Sequence, residues 1–238
     1  MNRIESIFNY DLEKLAEEVK ERFETNKPFP YLAIKGLFNE QILSNAVSEI
    51  NQTQGNSKYY RDQYQIKNLI EGKSLVTTAP ENIQKVFKAL NGEPFLNFLR
   101  KVTSIEDLFE DNTFRGGGIH HIPPGGKLDI HVDFSRPSWN RQVYRRANVL
   151  LYVNKNWEED WGGHLELWDN SVKANGKCIE KITPDFNTLV LFGTKKASWH
   201  GHPEPLQCPP GRARQSFASY YYSNTPSDDL EIHTTVFK

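Results

Sequence analysis

Residues 115–134 read Arg-Gly-Gly-Gly-Ile-His-His-Ile-Pro-Pro-Gly-Gly-Lys-Leu-Asp-Ile-His-Val-Asp-Phe. Two short runs, 117–122 and 127–134, flank a Pro-Pro-Gly-Gly turn, the pattern of two strands joined by a tight connection. From here to residue 223 the pattern repeats. Apolar or alternating runs cut by Gly, Pro and Asn stand at 147–153, 164–168, 178–182, 188–192, around Trp199 and at 214–223. Eight strands with turn residues between them predict a mainly β barrel or sandwich closed on itself. The glycine pairs and triplets, Gly116-Gly117-Gly118, Gly125-Gly126 and Gly162-Gly163, lack the strand-to-helix setting of a phosphate loop and read as structural.

Upstream the period changes to that of helices. After Asp11 as a cap, Leu12, Leu15, Ala16, Val19 and Phe23 share one helix face, and after Asn39 so do Ile42, Leu43, Ala46, Val47 and Ile50. A short strand is expected over Tyr31–Lys35, between Pro30 and the second helix. Further helices are expected over 80–90, ending at Asn91-Gly92 with the glycine in a left-handed stop, and over 94–102. These helices should cover one outer face of the barrel. Residues 56–78 show no period and read as an ordinary surface loop, with a flap over a site as the rival reading. With no repeat or low-complexity stretch, one domain over 1–238 is expected, 1–114 supporting a core at 115–223.

Composition excludes several classes. With 37% hydrophobic and 25% charged residues the chain is an ordinary globular sequence rather than a tail or a linker. Its net charge of -1, from 29 Lys+Arg and 30 Asp+Glu, gives no reason to expect nucleic acid or a membrane surface as partner. Cys178 and Cys208, outside any CxxC pair, read as reduced thiols, and with no apolar leader at the start of the sequence a cytoplasmic protein is expected.

Chemistry gathers in Lys127-Leu-Asp-Ile-His-Val-Asp133. Strand alternation sets Asp129, His131 and Asp133 on one face, so an imidazole and a carboxylate point the same way, and either His200 or His202 can complete a metal-binding face. In the last strand Arg214, Ser216, Ala218, Tyr220 and Tyr222 share a face, which places a guanidinium beside a hydroxyl, the donors of a carboxylate clamp. Trp157, Trp161 and Trp168 read as core or rim aromatics, and Arg136, Arg141, Arg145 and Arg146 as a solvated loop rather than a site for an anion.

Together with Asn148-Val-Leu-Leu-Tyr-Val-Asn154, Trp161-Gly-Gly-His-Leu-Glu-Leu-Trp168, Ser198-Trp-His-Gly-His202 and Arg214-Gln-Ser216, residues 115–134 make the chain resemble the Fe(II)/2-oxoglutarate oxygenases of the prolyl 4-hydroxylase-like branch, over about residues 28 to 223. The resemblance implies a double-stranded β-helix (jelly-roll, cupin-like) core. It implies His131, Asp133 and His200 as catalytic iron ligands, His200 being preferred because the family's distal histidine follows a Ser/aromatic pair, here Ser198-Trp199. His202 stands where the family usually has valine. Arg214 and Ser216 would hold the far carboxylate of 2-oxoglutarate, with Arg212 as rival to Arg214 because the spacing from His200 is longer than usual. Tyr152 and Asn148 match positions near the co-substrate, and His121 stands where relatives often carry a tyrosine that bonds it.

The implied cofactors are Fe(II), 2-oxoglutarate and dioxygen, with L-ascorbate as an optional addition. The implied reaction is hydroxylation of an unactivated C–H bond, because halogenating relatives lack a carboxylate at the position of Asp133. A peptidyl proline or related residue is the first substrate expected, and a small metabolite such as a free amino acid or sugar intermediate is the alternative. Two further readings are opposed by single features: a non-catalytic cupin-like binding module predicts loss of at least one of His131, Asp133, His200 and Arg214, all of which are present, and a metal-dependent cupin hydrolase or isomerase without 2-oxoglutarate has no use for the Arg214/Ser216 clamp. Oligomeric state is not legible.

Overall fold

In the computed structural model, which describes residues 6–53, 57–227 and 231–237, helices begin where the sequence supplies caps. The Asp11 carboxylate accepts from the backbone N–H of Glu13 and Lys14 at 3.0 and 3.3 Å, opening α1 (Leu12–Thr25). Asn39 Oδ1 does the same for Gln41 and Ile42 at the head of α2 (Glu40–Thr53). A single turn, α3 (Ser74–Thr77), precedes α4 (Glu81–Leu90) and α5 (Glu93–Thr103). Gly92 is not the left-handed stop expected between the last two. Its φ is −78°, and a side chain is excluded there because a Cβ would stand 2.9 Å from the Lys88 carbonyl oxygen.

The strands are β1 (Tyr31–Lys35), β2 (Lys58–Arg61), β3 (Gln65–Ile70), β4 (Phe109–Glu110), β5 (Gly118–Ile122), β6 (Lys127–Val132), β7 (Tyr144–Tyr152), β8 (Leu165–Trp168), β9 (Cys178–Ile182), β10 (Thr188–Gly193), β11 (Trp199–His202), β12 (Arg214–Ser223) and β13 (Val236–Phe237). They pair antiparallel in the order β1-β10-β7-β12-β5-β3-β6-β11-β8-β9, with β2, β4 and β13 added beside β3, β12 and β6. The result is a nearly closed, jelly-roll-like barrel. Period-two alternation sorts its two faces. Ala147, Val149 and Leu151 of β7, Leu189 and Leu191 of β10, and Phe217 and Tyr221 of β12 join the helix faces carrying Leu15, Phe23, Leu43, Phe87 and Phe95 in one buried cluster. Each such leucine or phenylalanine, once out of water, contributes about 1.5–3 kcal/mol. The intervening residues Asn148 and Leu150 of β7, Phe192 of β10 and Ser216 and Tyr220 of β12 line a cavity inside.

The stretch expected as a surface loop is instead a hairpin, β2 and β3. Asn68–Ile70 pair with β5 while Gln65 and Ile66 pair with β6, so β3 bridges the two strands and helps close the barrel. Its mixture of charged and half-buried side chains gives no alternation to read. Asn56, at the start of the expected loop, and Met1–Glu5 lie outside the described residues.

Two bulges alter the expected faces. Between the pairs His200 to His131 and His202 to Leu128, two steps along β11 match three along β6. Leu128 therefore turns into the cavity and Asp129 away from it, to an ion pair with Lys127 at 2.8 Å, although simple alternation places Asp129 beside His131. In β7, Tyr221 pairs with Ala147 but Tyr222 with Arg145, so Arg146 is the extra residue and Arg145 turns inward.

Candidate active site

A cavity of about 280 Å³ lies inside the barrel, between β5, β6, β7, β11 and β12, and His131, Asp133 and His200 meet on its wall. One ligand-type atom from each lies within 4.8 Å of the others, an arrangement that could hold a metal ion. His131 Nε2 is 3.7 Å from Asp133 Oδ1, and His200 Nε2 is 3.4 Å from Asp133 Oδ2. The cross-strand pairing of His200 with His131 brings the rings together, centroids 4.4 Å apart. Both Nδ1 atoms face carbonyl oxygens two residues upstream, Asp129 and Ser198, at 2.8 Å. A carbonyl only accepts, so each ring carries its proton on Nδ1 and turns the Nε2 lone pair toward Asp133. Burial and then the neighbouring His200 ring hold His131 below its ordinary pKa, which favours this neutral form. A larger hollow of about 810 Å³ between α1, α5 and the end of β10 gathers no such cluster.

Asp133 is fixed by groups that the loop reading passed over. Arg145, 2% exposed, places Nη2 3.0 Å from Asp133 Oδ2 and donates from Nε to Asn148 Oδ1 at 2.8 Å. Asn148 Nδ2 in turn donates to Asp133 Oδ2 at 2.7 Å. Its amide is thus engaged at both ends, and Asn148 touches the carboxylate, a different contact from the co-substrate contact expected of it. The guanidinium also lies 3.5 Å from the centroid of the Tyr220 ring and 4.7 Å from that of Phe134. Burial alone would raise the Asp133 pKa, but the Arg145 charge beside it holds it well below the usual carboxylate range. The reading of Arg145 as a solvated loop residue is corrected by this placement.

Away from the triad, the cavity is lined by Arg214, Ser216, His202 and His120 among the apolar walls of Ile122, Leu128 and Leu165. Arg214, 3% exposed, donates from Nε to Gly163 O at 2.6 Å and from Nη2 to Tyr152 Oη at 2.8 Å. Tyr152 therefore stands behind Arg214, fully buried. Arg212 points elsewhere, over the Trp161 ring at 4.9 Å and onto the Lys155 carbonyl. His121 is a correction as well. It faces the outer side of β5, 3.0 Å from Gln215 Nε2, while His120 points inward and donates to Gly116 O at 3.1 Å. Burial, then the Lys67 charge, presses His120 down to about 3, so it is neutral at neutral pH. Sequence reading also missed Lys67 and Phe237, which line the cavity from β3 and β13, Phe237 stacking on Tyr64 at 4.5 Å and lying tilted against the His131 ring at 5.2 Å.

The donor set fits a cation at one place and a carboxylate at another. Two imidazole nitrogens and a carboxylate converge on the first, while at the second the buried Ser216 Oγ and both His202 ring nitrogens have no hydrogen-bond partner, the condition of atoms arranged for a polar ligand. Among the described residues no helix is long and apolar enough to cross a membrane.

Residues 117–222 match the model of the 2OG-Fe(II) oxygenase superfamily. Prolyl 3-hydroxylase OGFOD1 of Mus musculus is 33% identical over 79 residues, which is 33% of this chain and only 14% of that protein. A Trichoplax adhaerens prolyl hydroxylase, solved in complex with a hypoxia inducible factor peptide, superposes with a TM-score of 0.64 at 17% identity, covering 89% of this chain and 90% of that one. A Pseudomonas putida prolyl-4-hydroxylase gives 0.60 at 14% identity, over 88% and 98%. At these identities the two structures establish the fold.

Proposed function

We propose, from the premise that residues 117–222 belong to the 2OG-Fe(II) oxygenase superfamily, that the chain is a 2-oxoglutarate-dependent hydroxylase acting on prolyl residues of a peptide. The observation that carries this is the pairing, in one cavity, of the His131, Asp133, His200 cluster with the Arg214 and Ser216 donors.

In this reading His131 and His200 hold Fe(II) through Nε2, their tautomers set by the Asp129 and Ser198 carbonyls. Asp133 supplies the third ligand, and Asn148 and Arg145 keep its carboxylate ionised and oriented. Arg214, held by Gly163 and Tyr152, and Ser216 bind the far carboxylate of 2-oxoglutarate. Leu150, Leu165 and Phe192 exclude water between the two places, which strengthens each charge interaction. With dioxygen, the bound iron and 2-oxoglutarate supply an oxidant that places one oxygen atom in a C–H bond and the other in succinate, with release of carbon dioxide.

A free amino acid is the second substrate class, favoured by the modest volume of about 280 Å³. The unpaired thiols Cys178 and Cys208 support a reducing, cytoplasmic setting. The test is incubation with Fe(II), 2-oxoglutarate, dioxygen and either a pool of proline-containing peptides or free amino acids. A one-oxygen mass gain on peptidyl proline with matching succinate supports the proposal. A gain confined to a free amino acid selects the second class, and neither product from folded, metal-loaded protein refutes both.

A further inference from the structure

His202 is 3% exposed, yet neither ring nitrogen has a hydrogen-bond partner. Ser216 Oγ, on a residue 1% exposed, is in the same condition. Buried polar side chains are so regularly satisfied that two orphans lining one cavity point to a ligand that satisfies them. Arg214 lines the same cavity, and its guanidinium exerts the largest effect of any charge on the His202 ring. Only two of the five N–H groups of a guanidinium are accounted for by Gly163 and Tyr152, so Arg214 retains donors for an anion. No carboxylate of the chain pairs with it among the described residues.

The backbone places His202 here by parity. It follows His200 by two residues in β11, so both side chains turn into the cavity. Gly201 between them has no room for a side chain, since a Cβ would stand 2.7 Å from Leu128 O and 2.8 Å from Asp129 O at the bulge of β6. A wall position of this kind, beside Leu128 and Leu165, is one that an aliphatic side chain would fill with nothing left unsatisfied. An imidazole is accommodated without cost only when an acceptor meets its N–H.

Resting on the 2-oxoglutarate reading above, we propose that His202 is a third donor to the far carboxylate of 2-oxoglutarate, beside Arg214 and Ser216, and that its ring limits the length of dicarboxylate the pocket accepts. Neutral imidazole donates one hydrogen bond, which adds orientation to the charge of Arg214 and the hydroxyl of Ser216. Filling the end of the cavity, it leaves too little depth for the homologue with one more methylene, 2-oxoadipate.

The test is an anaerobic titration of the Fe(II)-loaded protein with 2-oxoglutarate and with 2-oxoadipate, read from the visible charge-transfer band, in wild type, His202→Val, His202→Asn and His202→Gln. His202→Val is expected to weaken 2-oxoglutarate about 10- to 100-fold, the range for a hydrogen bond to a charged group, with Fe(II) affinity unchanged and the preference against 2-oxoadipate reduced. The two amides place an N–H near Nδ1 or Nε2, and at least one should recover part of the affinity, which a merely structural loss would not do. Undiminished 2-oxoglutarate binding by His202→Val overturns the role of His202 alone. Absence of the band in wild type overturns the 2-oxoglutarate reading and this proposal with it.

Discussion

Removing the Arg145 charge tests how the carboxylate of the triad is held. In metal-free protein at neutral pH, Arg145→Met leaves Asp133 buried without its cation. At 3.0 Å and an effective dielectric near 20, the lost attraction is about 5.5 kcal/mol. Asp133 can escape by taking a proton, and that costs about 4 kcal/mol because neutral pH lies about three units above an ordinary carboxylate pKa. Protonation is the cheaper route, and its cost of about 4 kcal/mol falls within the about 3–5 kcal/mol usual when one partner of a buried ion pair is removed. For a chain of 238 residues each kcal/mol moves the melting temperature by about 2–4 °C, so a drop of about 6–20 °C is expected. Two controls give the drop its meaning. Asp133→Asn in the same background should recover most of it, and anaerobic Fe(II) should stabilise Arg145→Met more than wild type, since the cation replaces the missing charge. Differential scanning calorimetry reads wild type, Arg145→Met and the double variant, with and without Fe(II). A metal-free Arg145→Met that melts within about 2 °C of wild type, or a drop that Asp133→Asn leaves untouched, refutes the reasoning.

Other expectations follow from neighbouring contacts. Tyr152→Phe removes the acceptor that steadies Arg214 Nη2 and should weaken 2-oxoglutarate about fivefold, the equivalent of about 1 kcal/mol, without changing Fe(II) affinity in the same anaerobic titration. Leu151, fully buried where β7 meets the helices, should cost about 2–5 kcal/mol on change to Ala in a urea melt. Glu71 ties the β2–β3 hairpin to the start of β5 through Lys58 and the Gly116 N–H at 2.9 Å. Burial raises its pKa, but the Lys58 hydrogen bond and charge and the Gly116 bond lower it further, for a net depression. Its contribution is therefore complete above the ordinary glutamate pKa and lost as pH falls through the lower folded value. Hydrogen exchange in residues 58–70, corrected for intrinsic rates, should accelerate over that acid interval in wild type, and Glu71→Gln should show faster exchange already at neutral pH.

The sequence made legible whatever obeys a simple period. The eight core strands, the helix faces and the caps at Asp11 and Asn39 follow from apolar spacing and short polar side chains, and all recur in the barrel. The β2–β3 hairpin escaped because β2 is mostly exposed and β3 runs from four half-buried residues into two buried ones, with no alternation in either. Parity failed where a bulge adds a residue. Alternation from Asn148 predicts Arg146 inward and Arg145 outward, and the extra residue in β7 reverses them. The same holds for Leu128 and Asp129 in β6. His120 and His121 could not be told apart because Ile119 and Ile122, at opposite parities, are both buried, one against the helices and one against Trp157 and Leu206. Lys67 and Phe237 reach the cavity through long-range strand pairing that no local pattern records.

In the proposed function one cavity binds Fe(II) and 2-oxoglutarate together through His131, Asp133, His200 and Arg214. The measurement that meets this most directly is the anaerobic addition of Fe(II) and then 2-oxoglutarate to wild type, Asp133→Ala and Arg214→Met. A visible charge-transfer band is expected in wild type, absent in Asp133→Ala at any 2-oxoglutarate concentration and recovered in Arg214→Met only at much higher concentration. A folded wild-type protein that shows no band, or a band that Asp133→Ala retains at full strength, would contradict it.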